Sequence, residues 1–343
     1  EPGASFARVS EELRAKGAIS SAYIFRAGAD YAKKSGDLKY GSYLIEPGAT
    51  MRGIVDQGTA GGPSTCGTEL NYRIGVTGQQ LILRELDPAT GDYVEQAKFD
   101  PKTETAPEGF AEAAGKADVR LRVTVAEGAT SWQIVEALKS ADFLQGEIKT
   151  VPAEGSLAPE SYDLKRGSDR GALIAEMEKR QAAILAAAWE ARAPGLPYST
   201  PEEALVMASL VEKETGIAEE RTRVASVFVN RIEQGMKLQT DPAVIYGVTK
   251  GQGVLGRGLR QSELRRETPY NTYVVAGLPP TPICNPGRAA IEAALHPDST
   301  PYLFFVADGS GGHVFAETLE EHNRNVVKWR ALEKAAPADS TNN

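Results

Sequence analysis

The stretch TPEEALVMASLVEKETG, residues 200–216, carries helix punctuation at both ends. Thr200 stands where an N-cap hydroxyl is wanted, Pro201 fits the first helical position, and Gly216 ends the run. On a wheel of about 100° per residue, Glu202, Ser209 and Lys213 mark a wet side, with Val206 as an apolar exception. Ala204, Met207, Ala208, Leu210 and Val211 fill the other side, as in a helix packed into a core. Glu212 falls on a flank and reads as a structural partner or a surface charge. Glu214 falls on the apolar side, beside Met207 and between Leu210 and Val211. An isolated carboxylate is costly to bury there and has its pKa raised. That is the condition of a general acid near neutrality. Spacing alone leaves a second reading open, in which Glu214 pairs with Arg221 or Arg223 and holds helices together.

The neighbouring sequence supplies a helical frame. Residues 169–193 and 219–235 read as helices, followed by loops rich in Gly, Pro, Tyr and Asn. A short helix over 285–297, a strand over 302–308 and an amphipathic helix over 317–335 complete this half. KLQTDPAVIYG (237–247) reads as a loop that offers Gln239, Asp241 and Tyr246. TPYNTYVVAGLPPTPICNPG (268–287) offers Tyr270, Asn271, Tyr273 and Asn285 among stiffening prolines. Such residues suit a carbohydrate, because rings stack on sugar faces and amides bond hydroxyls and acetamides. The same residues are also ordinary loop formers. His296, His313 and His322 show no metal-ligand spacing, and GGHVF (311–315) reads as a turn. No metal or cofactor is expected.

The first half is organised by a repeat. EPGASFARVSEEL (1–13), EPGATMRGIVDQG (46–58) and AEGATSWQIVEAL (126–138) each lead from a Gly-Ala-Ser/Thr turn into a helix-period stretch. Ser5, Thr50 and Thr130 are candidate N-caps, and Gln133 completes a capping box with Thr130. Strand-like runs, YGSYLIE (40–46) and VRLRVTV (119–125), precede the second and third copies. The first copy lacks such a strand, as expected of a chain that begins just inside a domain. Between copies two and three, 68–86 and 94–100 alternate around the turn chemistry of 87–93, which predicts a β-hairpin insertion within about 59–118. The fold class is therefore α+β: βα units with a hairpin insertion over 1–150, a linker over 151–167, a mainly helical α+β domain over 168–335, and a disordered tail over 336–343.

Composition narrows the partners. The chain has 343 residues and a net charge of −8, which argues against a nucleic-acid polyanion. Two cysteines, Cys66 and Cys284, make neither a disulfide framework nor a zinc site. No apolar run of about 18 residues is present to span a membrane.

MASLVEKETG, VASVFVNRIEQGMKLQTDPAVIYG, PYNTYVVAGLPPTPICNPG and TPYLFFVADGSGGHVF together resemble the YceG-like family, the MltG-type endolytic transglycosylases of bacterial peptidoglycan. The likeness covers nearly all of 200–330. It is looser in the first half, where the repeated units resemble LysM-like elements and LAPESY (157–162) resembles a family linker. The loop reading makes Gln239, Asp241, Tyr246, Asn271, Tyr273 and Asn285 the candidate glycan contacts, and the resemblance implies that Glu214 is the catalytic acid/base. It implies endolytic cleavage of nascent strands between MurNAc and GlcNAc with 1,6-anhydro ends, peptidoglycan synthases as partners, and an N-terminal membrane helix holding the enzyme at the periplasmic face of the inner membrane. Two other readings compete. One is a muramidase with Asp241 assisting water, and the other is a non-catalytic glycan-binding scaffold.

Overall fold

The computed structural model describes residues 5–39, 43, 45, 47–60, 67–87, 90, 92–115 and 119–335. Most of the strand expected over 40–46, together with Cys66 and the tail 336–343, lies outside them. The chain forms two compact units, Glu1–Tyr72 with Gln80–Arg122, and Arg73–Gln79 with Val123–Asn343.

The first unit opens with three helices, α1 (Phe6–Ala15), α2 (Ala22–Tyr31) and α3 (Met51–Ala60). The Ser5 hydroxyl accepts the Arg8 N–H and the Thr50 hydroxyl accepts the Gly53 N–H, so both act as the capping reading expects. Ile19, Phe25, Ala29, Ile54 and Val55 close a small core, with Phe6 stacked on Phe25 at 5.4 Å. Helix α2 went unread in the sequence, although Ser21 caps it by accepting the Ile24 N–H. The alternating stretch 68–86 is two strands rather than one, β1 (Thr68–Ile74) and β2 (Gln79–Leu86), followed by β3 (Tyr93–Phe99). The break falls where the Gly75 N–H bonds the Gly78 carbonyl at 2.8 Å. A short helix α4 (Phe110–Gly115) then leads to β4 (Arg120–Val125), and the strand order of this unit is β3-β2-β1-β4.

In the second unit the last residues of β4 enter α5 (Ser131–Ser140), whose N-cap Thr130 forms the expected capping box with Gln133. The strands β5 (Leu144–Gln145), β6 (Ser161–Leu164) and β7 (Ser168–Asp169) follow; β6 lies beside β4, and β5 pairs in parallel with β7. Asp169 caps α6 (Arg170–Glu190), and the Arg170 guanidinium gathers the carbonyls of Leu138, Ala141 and Gly146. Next come α7 (Pro201–Glu214), a 3-10 turn (Ala218–Glu220), α8 (Arg221–Glu233), α9 (Asp241–Thr249), α10 (Gln261–Arg265) and α11 (Arg288–Leu295). The antiparallel hairpin β8 (Phe304–Ala307) and β9 (His313–Ala316) precedes α12 (Leu319–Ala335).

Helix α7 is the axis of this unit. Its capping box joins Thr200 and Glu203, and it packs on α6, α8, α9 and α11 around Met207, Ala208, Leu210 and Val211. All residues from Ala204 to Val211 are buried, so the wet side read from the wheel is wrong at Ser209. The Ser209 hydroxyl donates to the Val206 carbonyl and accepts the Ile283 N–H at 3.0 Å, so the loop before α11 covers that face. Two further readings change: 237–247 is not wholly loop, because α9 begins at Asp241, and GGHVF ends in strand β9 rather than staying a turn.

Candidate active site

Glu214 is the last residue of α7, where the chain leaves the helix through extended Thr215 and Gly216. Its carboxyl is walled by protein while the residue keeps partial exposure, and burial pushes its pKa up. The nearby charge of Asp241 pushes in the same direction, while the Thr240 hydroxyl, His313 and Arg231 oppose it. Among the described residues no ion pair reaches Glu214. Arg221 lies 3.9 Å from Glu127 and Arg223 lies over the Phe315 ring, so the helix-tying reading of Glu214 loses both of its partners. Glu212 instead accepts the Gly287 N–H at 2.9 Å at the start of α11, and burial raises its pKa as well.

The segment facing Glu214 is held by α8 and the following loop. Arg231 is buried; it donates to the carbonyls of Leu303 and Leu238 and lies against Phe304. This pins the chain at Leu238, just before Gln239, which has a φ of 52° and an exposed side chain. A left-handed conformation at a non-glycine residue is stored strain, which clusters at functional sites. Thr272 secures the next step: its carbonyl accepts the Gln239 N–H, and its hydroxyl accepts the Thr240 N–H and donates to the Thr240 carbonyl. Asp241 then opens α9 and is exposed, and the Tyr273 hydroxyl donates to it at 2.7 Å. Burial, then Asp241 and Glu214, hold the Tyr273 phenol well above its usual range.

Of the residues read as ligand contacts, the structure gathers Asp241 and Tyr273 at Glu214, with Gln239 adjacent. The other three serve as braces. Asn271 is fully buried; its Nδ2 donates to the carbonyls of Glu263, Leu264 and Arg266, and its Oδ1 accepts the Tyr273 N–H. Asn285 is equally buried. It accepts the Leu157 N–H and donates toward the Ala129 carbonyl, the Ser131 hydroxyl and Glu154. The Tyr246 hydroxyl donates to Glu154 at 3.1 Å, and its ring lies 5.1 Å from that of Tyr270. The amide N–H groups of Asn271 and Asn285 are thereby spent on the protein, and the Tyr246 hydroxyl is held by Glu154.

Three residues near Glu214 escaped the sequence reading. Thr240 and Arg231 are described above, and the third is His313 on β9. Glu220 accepts from His313 twice, at its ring Nδ1 (2.8 Å) and its backbone N–H (2.9 Å). Burial alone would raise the Glu220 pKa, but His313 and the Thr215 hydroxyl bring it below the usual carboxylate value. Nothing in the spacing of Glu220 and His313 signals this pair, which depends on the β8–β9 hairpin folding onto α8.

Among the described residues no group of three or more His, Cys, Asp or Glu side chains is placed to hold a metal ion. Cys284 is buried with its thiol pKa pushed up by that burial. A cavity of about 330 Å³ flanks α9, lined by Lys213, Pro242, Ile245, Val254 and Leu255 among others. No carboxylate lines it; of its polar residues, Thr130 and Gln133 form the α5 capping box, and Lys213 and Arg257 are its cations.

Residues 80–328 match the sequence profile of the YceG-like family. The chain is 46% identical over 125 residues to an endolytic murein transglycosylase of Bacillus subtilis (strain 168), an alignment covering 36% of this chain and 34% of that protein. It is 36% identical over 188 residues to an endolytic murein transglycosylase of Streptococcus pneumoniae serotype 2 (strain D39), covering 51% and 32% respectively. The chain thus spans about a third of the length of these relatives. The crystal structure of a yceG-like protein, lmo1499 from Listeria monocytogenes, superposes with a TM-score of 0.50 at 26% identity, over 94% of this chain and 96% of that one.

Proposed function

The chain belongs to the YceG-like family, and on that premise we propose that it is a lytic transglycosylase of peptidoglycan with Glu214 as its acid and then its base. The observation that carries this is the Glu214 carboxyl: raised in pKa by burial and free of any ion pair among the described residues, on a residue that keeps partial exposure. A group in that state delivers a proton near neutrality. In the first step Glu214 protonates the glycosidic oxygen between MurNAc and GlcNAc, and the C1–O bond breaks. The resulting carboxylate then takes the proton of the same sugar's C6 hydroxyl, whose oxygen bonds to C1 and closes a 1,6-anhydro ring. Because the nucleophile is intramolecular, one carboxyl suffices where a water-using glycosidase needs two.

Gln239, Asp241 and Tyr273 border Glu214 and are the residues proposed to meet the glycan. The relatives, named endolytic murein transglycosylases, support endolytic action on murein, and a polymer substrate outside the cytoplasmic membrane supports a place for the enzyme at its periplasmic face. The Gly-Ala-Ser/Thr units of the first half are proposed to be LysM-like, which the caps at Ser5, Thr50 and Thr130 support.

The test is mass spectrometry of products from purified glycan strands, with wild type set against Glu214→Gln. Anhydro-muramic ends from the wild type and none from folded Glu214→Gln are expected. Reducing ends in place of anhydro ends would make the protein a muramidase, with Asp241 as the second carboxylate. Undiminished cleavage by Glu214→Gln would refute the site.

A further inference from the structure

Several threonines among the described residues cap helices in the ordinary way, Thr318 before α12 with the Glu321 N–H among them. Thr50 accepts the Gly53 N–H at 3.1 Å, Thr130 the Gln133 N–H at 3.2 Å, and Thr200 the Glu203 N–H at 3.2 Å. Thr240 occupies the same place at the start of α9, in the same extended conformation, yet its side chain caps nothing. Part of the reason is Pro242, which stands in the first turn and has no N–H to give. The Thr240 hydroxyl is buried and makes no hydrogen bond of good geometry to any protein atom, and the polar group it faces is the Glu214 carboxyl. Leaving a buried hydroxyl unpaired costs about 1–3 kcal/mol, and giving up a cap costs about 0.5–2 kcal/mol. A chain that accepts both at one threonine has assigned that hydroxyl elsewhere.

We propose that Thr240 is the positioning residue of Glu214: its hydroxyl donates to one carboxyl oxygen and leaves the other to carry the working proton. The inference rests on Glu214 being the acid. With Thr240 only 2% exposed, the hydroxyl itself cannot reach a glycan, so it acts through Glu214. Its position is fixed from behind. Thr272 both donates to and accepts from the Thr240 backbone, and Arg231 anchors Leu238 two residues earlier. One fixed donor turns a carboxyl with two equivalent oxygens into one with a defined proton-bearing oxygen. As the proton leaves, the same donor meets a growing negative charge, and a hydrogen bond to a charged acceptor is the stronger kind. The other groups that face Glu214 are Asp241 from α9, His313 from β9, Arg231 from α8 and Tyr273 from the loop after α10. Of these, the structure gives Tyr273 a hydrogen bond to Asp241, Arg231 bonds to backbone carbonyls, and His313 bonds to Glu220.

The test replaces the hydroxyl without changing the shape. Extended Thr240 accepts valine on the same backbone, so Thr240→Val removes only the donor, while Thr240→Ser restores it. Rates of anhydro-end formation are measured against pH for both, with thermal melts to verify folding. For Thr240→Val we expect kcat to fall about tenfold with KM unchanged within twofold. The alkaline limb should move up by about one pH unit, the scale of one lost hydrogen bond to a charged group. Thr240→Ser should keep most of the rate and an unmoved limb. If Thr240→Val fails to fold, Thr240→Ala is read on the same three measures. A limb that stays put with kcat within twofold overturns the proposal, as does a folded Thr240→Ser as damaged as the valine variant. Cleavage surviving in Glu214→Gln overturns the reading beneath it. An inert Glu214→Gln beside an indifferent Thr240→Val overturns the role of Thr240 alone.

Discussion

Replacing Asn285 by alanine distinguishes a ligand contact from a brace. In the wild type the amide accepts the Leu157 N–H at 2.9 Å and donates to the Ala129 carbonyl at 3.0 Å, both inside the protein, and it also donates toward Ser131 and Glu154. Leu157 and Ala129 are both 0% exposed, so water does not replace the lost partner. An N–H left unpaired in such a place costs about 1–3 kcal/mol. The Ala129 carbonyl suffers less, because it also accepts the Asn285 backbone N–H at 2.9 Å. Adding the weakened hold on Glu154, the substitution should cost about 3–4 kcal/mol, a large share of a typical domain's 5–15 kcal/mol. At about 2–4 °C per kcal/mol for a unit of this size, melting should fall by roughly 10 °C. Urea titration and calorimetry of the whole chain measure it, with turnover recorded at a temperature where the variant is still folded. Turnover per folded molecule should stay within a few-fold of wild type. A variant that melts within 2 °C of wild type (about 0.5–1 kcal/mol) but binds glycan strands tenfold more weakly would refute the bracing argument and return Asn285 to the ligand.

Four further outcomes follow from the geometry. Glu214→Gln should melt higher than wild type at pH 8 and equal to it at pH 4. A carboxyl whose folded pKa is raised loses stability as pH rises through that value, and glutamine stays neutral. Asp241→Asn should move the alkaline limb of the activity profile downward, because it removes the charge that helps raise the Glu214 pKa; an unmoved limb would separate the two carboxyls electrostatically. Glu220→Gln should cost about 1–3 kcal/mol and speed amide hydrogen exchange in β8 and β9, since Glu220 holds His313 at both ring and backbone. Its carboxyl, lowered in pKa, contributes stability above the usual carboxylate range and loses it on acidification, so this deficit should shrink toward pH 3. Thr200→Ala should cost about 1 kcal/mol through the lost cap, lowering the melting temperature without moving either limb of the profile.

What was legible in the sequence was local. The ends of α7 are written in Thr200, Pro201, Glu203 and Gly216, and each acts within a few residues of itself. The unusual place of Glu214 was legible too, since wheel position needs no knowledge of partners. What was hidden depends on long-range contact. Ser209 reads as wet because it is polar, yet Ile283, 74 positions away, supplies the N–H that lets it be buried. Asn285 reads as a ligand contact because asparagine in a proline-rich loop usually faces outward, and Leu157 lies 128 positions from it. Helix α9 was obscured for a local reason. Its first residues lie in 237–247, which reads as a loop, and Thr240 holds the N-cap position without having been read as a cap.

The ends of α7 and α9 give the two carboxylates different electrical surroundings. Glu214 lies at the C-terminus of α7, where the unpaired carbonyls make the helix end negative and disfavour a second negative charge. Asp241 lies in the first turn of α9, where the free N–H groups favour one. Burial on one side and exposure on the other add to the same division. Glu214 is thereby suited to keep a proton, with the Asp241 charge among the causes that raise its pKa, which is the arrangement acid catalysis by a single group requires. A hydrolase built on the same pair would need room for a water between them and a base aimed at it. The Tyr273 hydroxyl already occupies Asp241 Oδ1 at 2.7 Å, which orients that carboxylate toward the loop after α10. Freeing it with Tyr273→Phe should therefore leave the product as anhydro ends, whereas a shift toward reducing ends would show that Asp241 is a base held in check by its tyrosine.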